Sequence, residues 1–284
     1  MKKILVPTDF SDNASAAMRY ALQLNEKMSA EIIFMHALDP LMRTDLPKAE
    51  YEKEVEHYKK EAQNQLIAQI RAVFTQLGRA ADAENAKFVV RSEDNAIQDI
   101  LQTATDLAID LIIMGTVGAT GLKKLLFGSN TTQIIRRATC PVLSVPANYD
   151  FQPIHKIGYA SDLTQPLPEL RSVLPFASLL GATIEVFHVY PVYPQYVDVK
   201  TFDNEGVLQE WKKDLQYDKI NLHFVHTEND NDVDAGIELY RQSYKPDCMA
   251  MFRHDRNFFD TLLDISFTDN YAFQPSVPLL SLKV

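Results

Sequence analysis

The chain has 284 residues, of which 46% are hydrophobic and 23% charged, with a net charge of −10. This composition excludes a disordered chain, and the length fits one large domain or two of about 140 residues. The acidic balance argues against a general nucleic-acid binder, which needs a basic face, and no apolar run reaches the roughly 18 residues that span a bilayer.

In chain order, residues 4–6 (Ile-Leu-Val) form a short apolar run of the buried-strand kind. Pro7 and Asp9 follow too early for the apolar core of a secretion signal. Ser11 to Asn13 offers an N-cap to a helix carrying Ala17, Tyr20, Ala21 and Leu24 at helical spacing. Residues 32–36 read as a second strand. Residues 46–77 are polar with spaced apolar positions, and Gly78 ends them. Residues 88–90 read as a third strand, and residues 95–108 as a helix with Ile97, Ile100, Leu101, Ala104 and Leu107 on one face. Residues 111–114 read as a fourth strand. Next comes a window that holds four of the nine glycines in 14 residues: Gly115, Gly118, Gly121 and Gly128. A helix near residues 130–137 and a strand at Val142–Val145 close the series. This alternation requires a mostly parallel sheet with helices on both faces.

The pattern then repeats. The stretch Lys3-Ile4-Leu5-Val6-Pro7-Thr8-Asp9-Phe10-Ser11 matches Lys156-Ile157-Gly158-Tyr159-Ala160-Ser161-Asp162-Leu163-Thr164 at an offset of 153, and 32–37 matches 184–189 at 152. Residues 110–114 and 141–145 match 247–251 and 278–282 at an offset of 137. Two copies of one domain are therefore expected, at 1–147 and 154–284, with about 15 residues lost inside the second. The joint is expected near 146–153. Residues 1–148 carry 17 basic and 18 acidic side chains, and residues 149–284 carry 11 and 20. An anionic ligand meets less repulsion in the first copy.

In such a sheet, ligands bind beyond the carboxyl ends of the strands, where strand order reverses. Pro7, Thr8 and Asp9 follow the first strand, Ala37 the second and the glycine window the fourth. Gly128 and Ser129 open a helix, whose N–H groups and dipole attract anions, and the hydroxyls of Ser129, Thr131 and Thr132 can donate. The glycine spacing is neither GxxxxGK[ST] nor GxGxxG, so a flexible turn with a helix cap is the rival reading. Asp9 can accept from a ribose hydroxyl or cap the following helix. His36 and His188 end strands and are expected to be packed and hydrogen-bonded. His223 and His226 lie three apart in a strand and should face opposite sides, so they do not share a metal. Lys123 and Lys124 either face phosphates or form a solvated surface. Cys140 and Cys248 lack CxxC spacing and fit a reducing cytoplasm.

The pattern Gly115-x2-Gly118-x9-Gly128-Ser129 resembles the ATP-binding signature of the universal stress protein family. The first eleven residues resemble that family's first strand, and Arg136-Arg137-Ala138-Thr139-Cys140-Pro141-Val142-Leu143-Ser144-Val145 its closing segment. The whole chain looks like a tandem member. The resemblance implies two flavodoxin-like (Rossmann-like) α/β domains, each with a five-stranded, mostly parallel sheet. It also implies an adenine-nucleotide site holding ATP, or AMP or ADP, with Mg2+ as a candidate companion. By this resemblance Asp9 and Ala37 lie by ribose and adenine, and Pro7, Thr8 and Met114 form walls. Gly115, Gly118, Gly128, Ser129, Asn130 and Thr131 serve the ribose and phosphates. Asn130 departs from the family's frequent valine, and Val90-Arg91-Ser92-Glu93 replaces its Gly-x-Pro.

Projection onto the second copy turns Gly115 into Phe252, Gly118 into Asp255 and Gly128 into Ile265, and keeps Ser129 as Ser266. The second copy is expected not to bind ATP in this mode, and Asp162 is expected to cap or pack. Its expected alternative role is assembly: Val142–Val145 is an apolar edge for Leu279–Leu282 to cover as an intrachain pseudo-dimer, with pairing of whole chains as a homodimer a further expectation. The leading expectation is a cytoplasmic stress-response protein that senses or holds ATP for an unknown protein partner, with no nucleic acid and no membrane. The alternatives are a scaffold with a relic site, or a hydrolase. No catalytic constellation stands out, so at most slow ATP hydrolysis is expected.

Overall fold

A computed structural model describes residues 1–38, 47–116, 128–147, 149–191, 204–227, 233–252 and 276–283. The chain divides into two compact units, Met1–Phe151 and Gln152–Val284. In the first unit the elements run β1 (Lys3–Pro7), α1 (Asp12–Met28), β2 (Glu31–Ala37), α2 (Lys48–Gln76), β3 (Lys87–Arg91), α3 (Ala96–Asp106), β4 (Leu111–Gly115), α4 (Ser129–Arg137) and β5 (Val142–Val145). A short 3-10 turn, Ala80–Asn85, precedes β3.

The strands lie in the order β3-β2-β1-β4-β5, and every pairing between neighbours is parallel. Each crossover therefore needs a helix. α1 packs with α2, and α3 with α4. Right-handed crossovers put these two pairs on opposite faces of the sheet. Strand order reverses between β1 and β4. Ile4, Leu5 and Val6 are wholly buried, as are Leu111, Ile112 and Ile113, so both central strands are apolar on both faces.

Local signals set the starts of α1 and α3. Ser11 caps α1 by accepting from the Ala14 N–H at 3.1 Å, and Asn95 caps α3 through the Gln98 N–H at 3.0 Å. The face of α3 differs from the expected one. Asp99 and Thr103 are buried beside Ile100 and Ala104, whereas Ile97 and Leu101 are half-buried. The two polar side chains go inside because they bind backbone: Asp99 accepts from the Asp94 N–H at 3.1 Å, and Thr103 donates to the Asp99 carbonyl at 2.7 Å. Burial pushes the Asp99 carboxyl above its ordinary range, helped by nearby Glu93.

The second unit runs β6 (Lys156–Ala160), α5 (Pro166–Leu180), β7 (Thr183–Pro191), α6 (Asn204–Leu215), β8 (Ile220–Thr227), α7 (Val233–Tyr244), β9 (Cys248–Phe252) and β10 (Leu279–Leu282). Its strand order is β10-β9-β6-β7-β8, again parallel at each described pairing. The shortening falls where the offset changes: α2 has 29 residues and α6 has 12.

The repeat extends to individual hydrogen bonds. Asp110 accepts from the N–H groups of Lys2 and Lys3, and Asp247 from those of His155 and Lys156. His36 Nδ1 meets the Thr8 carbonyl at 2.8 Å, and His188 Nδ1 meets the Ser161 carbonyl at 2.8 Å. A carbonyl only accepts, so Nδ1 carries the proton in both rings. Phe10 and Leu163 share a positive φ of 65° and 60°, as do Ser29 and Gly181 at 51° and 65°.

His223 and His226 do sit on alternate faces of β8, half-buried and exposed respectively. His223 Nε2 lies 2.6 Å from Glu185 Oε2, and Asn221 donates to the same carboxylate at 3.1 Å. Tyr240 and Tyr244 of α7 stack over this cluster, with Tyr244 4.3 Å from the His223 ring. The His223 hydrogen bond, with Asn221 assisting, holds the Glu185 carboxyl below its ordinary pKa against the cost of burial.

Two predictions follow from this packing. A carboxyl with a lowered folded pKa stabilises above its unfolded pKa, and that stabilisation is lost as pH falls through the folded value. Glu185→Gln should therefore destabilise by about 1–3 kcal/mol at pH 7 in urea melts. The deficit should shrink as pH drops below about 4. A deficit equal at both pH values would contradict the assignment. Second, a Cβ on Gly236 of α7 would lie 2.3 Å from Val189 Cγ1, so Gly236→Ala should lower stability by about 1–3 kcal/mol in the same assay.

Candidate functional site

At the carboxyl end of the first unit's sheet, the ends of β1, β2 and β4 and the start of α4 surround a cleft of about 310 Å3. Ten of the eleven residues expected from the sequence line it: Pro7, Thr8, Asp9, Ala37, Met114, Gly115, Gly128, Ser129, Asn130 and Thr131. The eleventh, Gly118, lies outside the described residues, as do Gly121, Lys123 and Lys124. Thr132 is not among the lining residues. Four further residues, Ala14, His36, Ala96 and Ile100, line the cleft and were not expected there. His36 stands next to Ala37 at a strand end, which was its only signal. Ala96 and Ile100 carry no local sign, because only the tertiary path of α3 brings its first turns to the cleft.

The turn after β1 is built by side chains. The Thr8 hydroxyl accepts from the Phe10 N–H at 3.0 Å, and Asp9 Oδ1 accepts from the Ser11 N–H at 3.1 Å. These bonds hold Phe10 in its left-handed conformation, and its ring stacks on His36 with centroids 4.1 Å apart. Asp9 is exposed and does not cap α1, because Ser11 does. The capping reading of Asp9 is thereby removed.

On the other side, α4 opens without a side-chain cap at Gly128. The Gly128 N–H is used by the Thr116 carbonyl at 2.7 Å, and Thr131 Oγ1 donates to the Gly115 carbonyl at 2.9 Å. These two bonds tie the start of α4 to the end of β4. The N–H groups of Ser129, Asn130 and Thr131 occupy the first turn, where an α-helix has no acceptor of its own, at the positive end of the helix dipole. The cleft thus sets an exposed carboxylate at one side and a helix N-terminus at the other, across a largely apolar floor containing Met114 and Ile100.

Gly115 stands where the second copy has Phe252. A Cβ on Gly115 would sit 3.2 Å from the Asn13 carbonyl oxygen in the first turn of α1. Glycine at 115 therefore serves the close approach of α1, whatever the cleft holds. In the second unit, α5 begins one position later, and Phe252 rests edge-on against Tyr159 at 5.4 Å. Those two buried rings stand where the first unit has Val6 and Gly115. Asp162 accepts from the Thr164 N–H at 2.9 Å and hydroxyl at 2.7 Å, shaping the turn rather than capping α5, whose N-cap is Gln165. The positions matching Gly118, Gly128 and Ser129, namely Asp255, Ile265 and Ser266, lie outside the described residues, as do Tyr193, Pro194 and Tyr196.

Thr131 is 3% exposed, and its hydroxyl helps to hold the β4–α4 junction. Thr131→Val should cost about 1 kcal/mol in urea unfolding, because it leaves the Gly115 carbonyl short of a donor. An unchanged midpoint would show that the bond does not hold the junction.

Residues 1–146 match the model of the universal stress protein family. The chain is 31% identical over 156 residues to universal stress protein MJ0577 of Methanocaldococcus jannaschii, covering 51% of this chain and 94% of that protein. It is 30% identical over 144 residues to universal stress protein MJ0531 of the same organism, covering 51% and 81%. A crystal structure of a universal stress protein from Archaeoglobus fulgidus DSM 4304 superposes with a TM-score of 0.62 at 18% identity, covering 99% of this chain and 96% of that one. This last likeness extends the common fold across both units.

Proposed function

The chain belongs to the universal stress protein family, and on that premise we propose that its first unit binds ATP or a related adenine nucleotide, AMP or ADP. The cleft between β1, β2, β4 and α4 is the site. One observation carries the reading: an exposed Asp9 carboxylate and the uncapped start of α4 face the same cleft. A carboxylate is a partner for the two hydroxyls of a ribose, and a helix N-terminus is a partner for phosphate. The apolar side chains between them, with Ala37 and Met114, suit the face of a purine. Ser129, Asn130 and Thr131 supply N–H groups to the phosphates and Ser129 its hydroxyl as well, the Thr131 hydroxyl being held by the Gly115 carbonyl, and Mg2+ accompanies the nucleotide as its counter-ion.

In the second unit Phe252 stands at the position of Gly115 and packs against Tyr159, which favours a single site, in the first unit. The protein acts as a sensor or adaptor whose loaded first unit is read by a protein partner. Among the described residues no helix is long and apolar enough to cross a membrane. The absence of CxxC spacing around Cys140 and Cys248 supports a reducing cytoplasm as the compartment.

The test pairs wild type with Asn130→Asp. Asn130 is exposed in the first turn of α4. An aspartate of the same shape favours the helix dipole, so the variant without ligand should be as stable as wild type or more so. The same charge repels phosphate, and ATP affinity should fall by about tenfold or more, since about 1.4 kcal/mol corresponds to tenfold. In thermal unfolding, ATP with magnesium at 100 times Kd should add about 2.7 kcal/mol of stability to wild type. No shift at millimolar ATP would overturn the proposal and leave a scaffold with a relic cleft.

A further inference from the structure

Gln69 sits on α2, far from the glycine window in sequence, yet it reaches the turn that presents Asp9. The Thr8 hydroxyl donates to Gln69 Oε1 at 2.8 Å, and Gln69 Nε2 donates to Ser15 Oγ at 2.8 Å. The chain continues at both ends. Thr8 Oγ1 accepts from the Phe10 N–H at 3.0 Å, and Ser15 Oγ donates to the Ser11 carbonyl at 3.1 Å. Every donor in this series meets an acceptor, and the directions are consistent along it. One amide thus clamps both ends of the Thr8–Ser11 turn, with Asp9 between them. The turn needs clamping, because Phe10 stands at a φ of 65°, which a residue with a side chain adopts at a cost.

The second unit keeps the turn and replaces the clamp. Leu163 has the same positive φ, and its N–H reaches Ser161 Oγ at 3.1 Å. There the Ser161 hydroxyl is served by Tyr159 and Glu169, from the strand before the turn and the helix after it. Among the described residues, this turn is held without a bond from α6, the counterpart of α2. The brace from α2 belongs to the unit that carries the cleft described above.

We propose that Gln69 is a positioning residue for the nucleotide site: through Thr8 and Ser15 it fixes the turn that aims the Asp9 carboxylate at the ribose hydroxyls. The inference rests on the nucleotide reading of the cleft. It adds that α2 communicates with the ribose end of the ligand and not with its phosphate end, which α4 holds.

The experiment compares ATP with 2′,3′-dideoxy-ATP, which keeps the base and phosphates and lacks the hydroxyls. Binding of each is measured by titration calorimetry on the full chain for wild type, Gln69→Leu and Gln69→Glu. Circular dichroism and the thermal midpoint without ligand report the fold. Wild type should prefer ATP. Gln69→Leu should lose about tenfold in ATP affinity and keep its dideoxy-ATP affinity, so that the preference collapses. Gln69→Glu retains an acceptor for the Thr8 hydroxyl and should recover part of the preference; it also serves as the test if Gln69→Leu does not fold. Equal losses for both nucleotides would make Gln69 structural only, and unchanged affinities would remove it from the site; either overturns this inference and leaves the nucleotide reading standing. Failure of wild type to bind either nucleotide overturns both.

Discussion

The first unit depends on β1 being paired in parallel on both sides, to β2 through Ile4–Ile32 and its neighbours and to β4 through Ile4–Leu111. Parallel pairing obliges every strand to end at the same edge, and the change of direction at β1 obliges the helices on either side to diverge from that edge. A cleft results from topology before any side chain is chosen. The wholly buried residues of β1 and β4 stabilise that arrangement by burial. The turn after β1 and the start of α4 then decide what the cleft offers: a carboxylate from one and peptide N–H groups from the other.

The repeat separates what the fold demands from what the cleft adds. Both units keep the aspartate that ties the start of the first strand to the fourth, the histidine bonded to the carbonyl after the first strand, and the positive φ two residues on. These features recur in both units, so they belong to the fold. The histidines show it well, for their ring protons are committed to carbonyls in both units. The divergence lies at the strand ends, where Tyr159 and Phe252 replace Val6 and Gly115. Gly115 itself answers to two demands at once, because α1 approaches it closely and the cleft opens beside it. A comparison of the two copies by sequence could not separate these demands, since the approach of Asn13 is a contact across 102 positions of chain.

The strands and the starts of α1 and α3 were legible because their causes are local. An apolar run reads as a buried strand, and Ser11 and Asn95 mark helix starts through bonds to N–H groups three residues on. The face of α3 was less legible: hydropathy favours Ile97 and Leu101, but Asp99 and Thr103 enter the interior by bonding backbone. The family signature gathered the residues of the first and fourth strand ends, whereas Ala96, Ile100 and Gln69 came to the cleft or its turn without any motif.

By itself the sequence determined the two α/β copies, the order of their elements, the shortening of the second, and the chemistry at the ends of β1, β2 and β4. Those follow from periodicity, capping and self-similarity, each readable within a few residues or by aligning the chain on itself. Only the tertiary structure decided which face α3 buries, why Gly115 has no side chain, and that an amide on α2 grips the turn bearing Asp9. Each of these is a contact between segments far apart in sequence, fixed by where helices cross the sheet and not by any local preference.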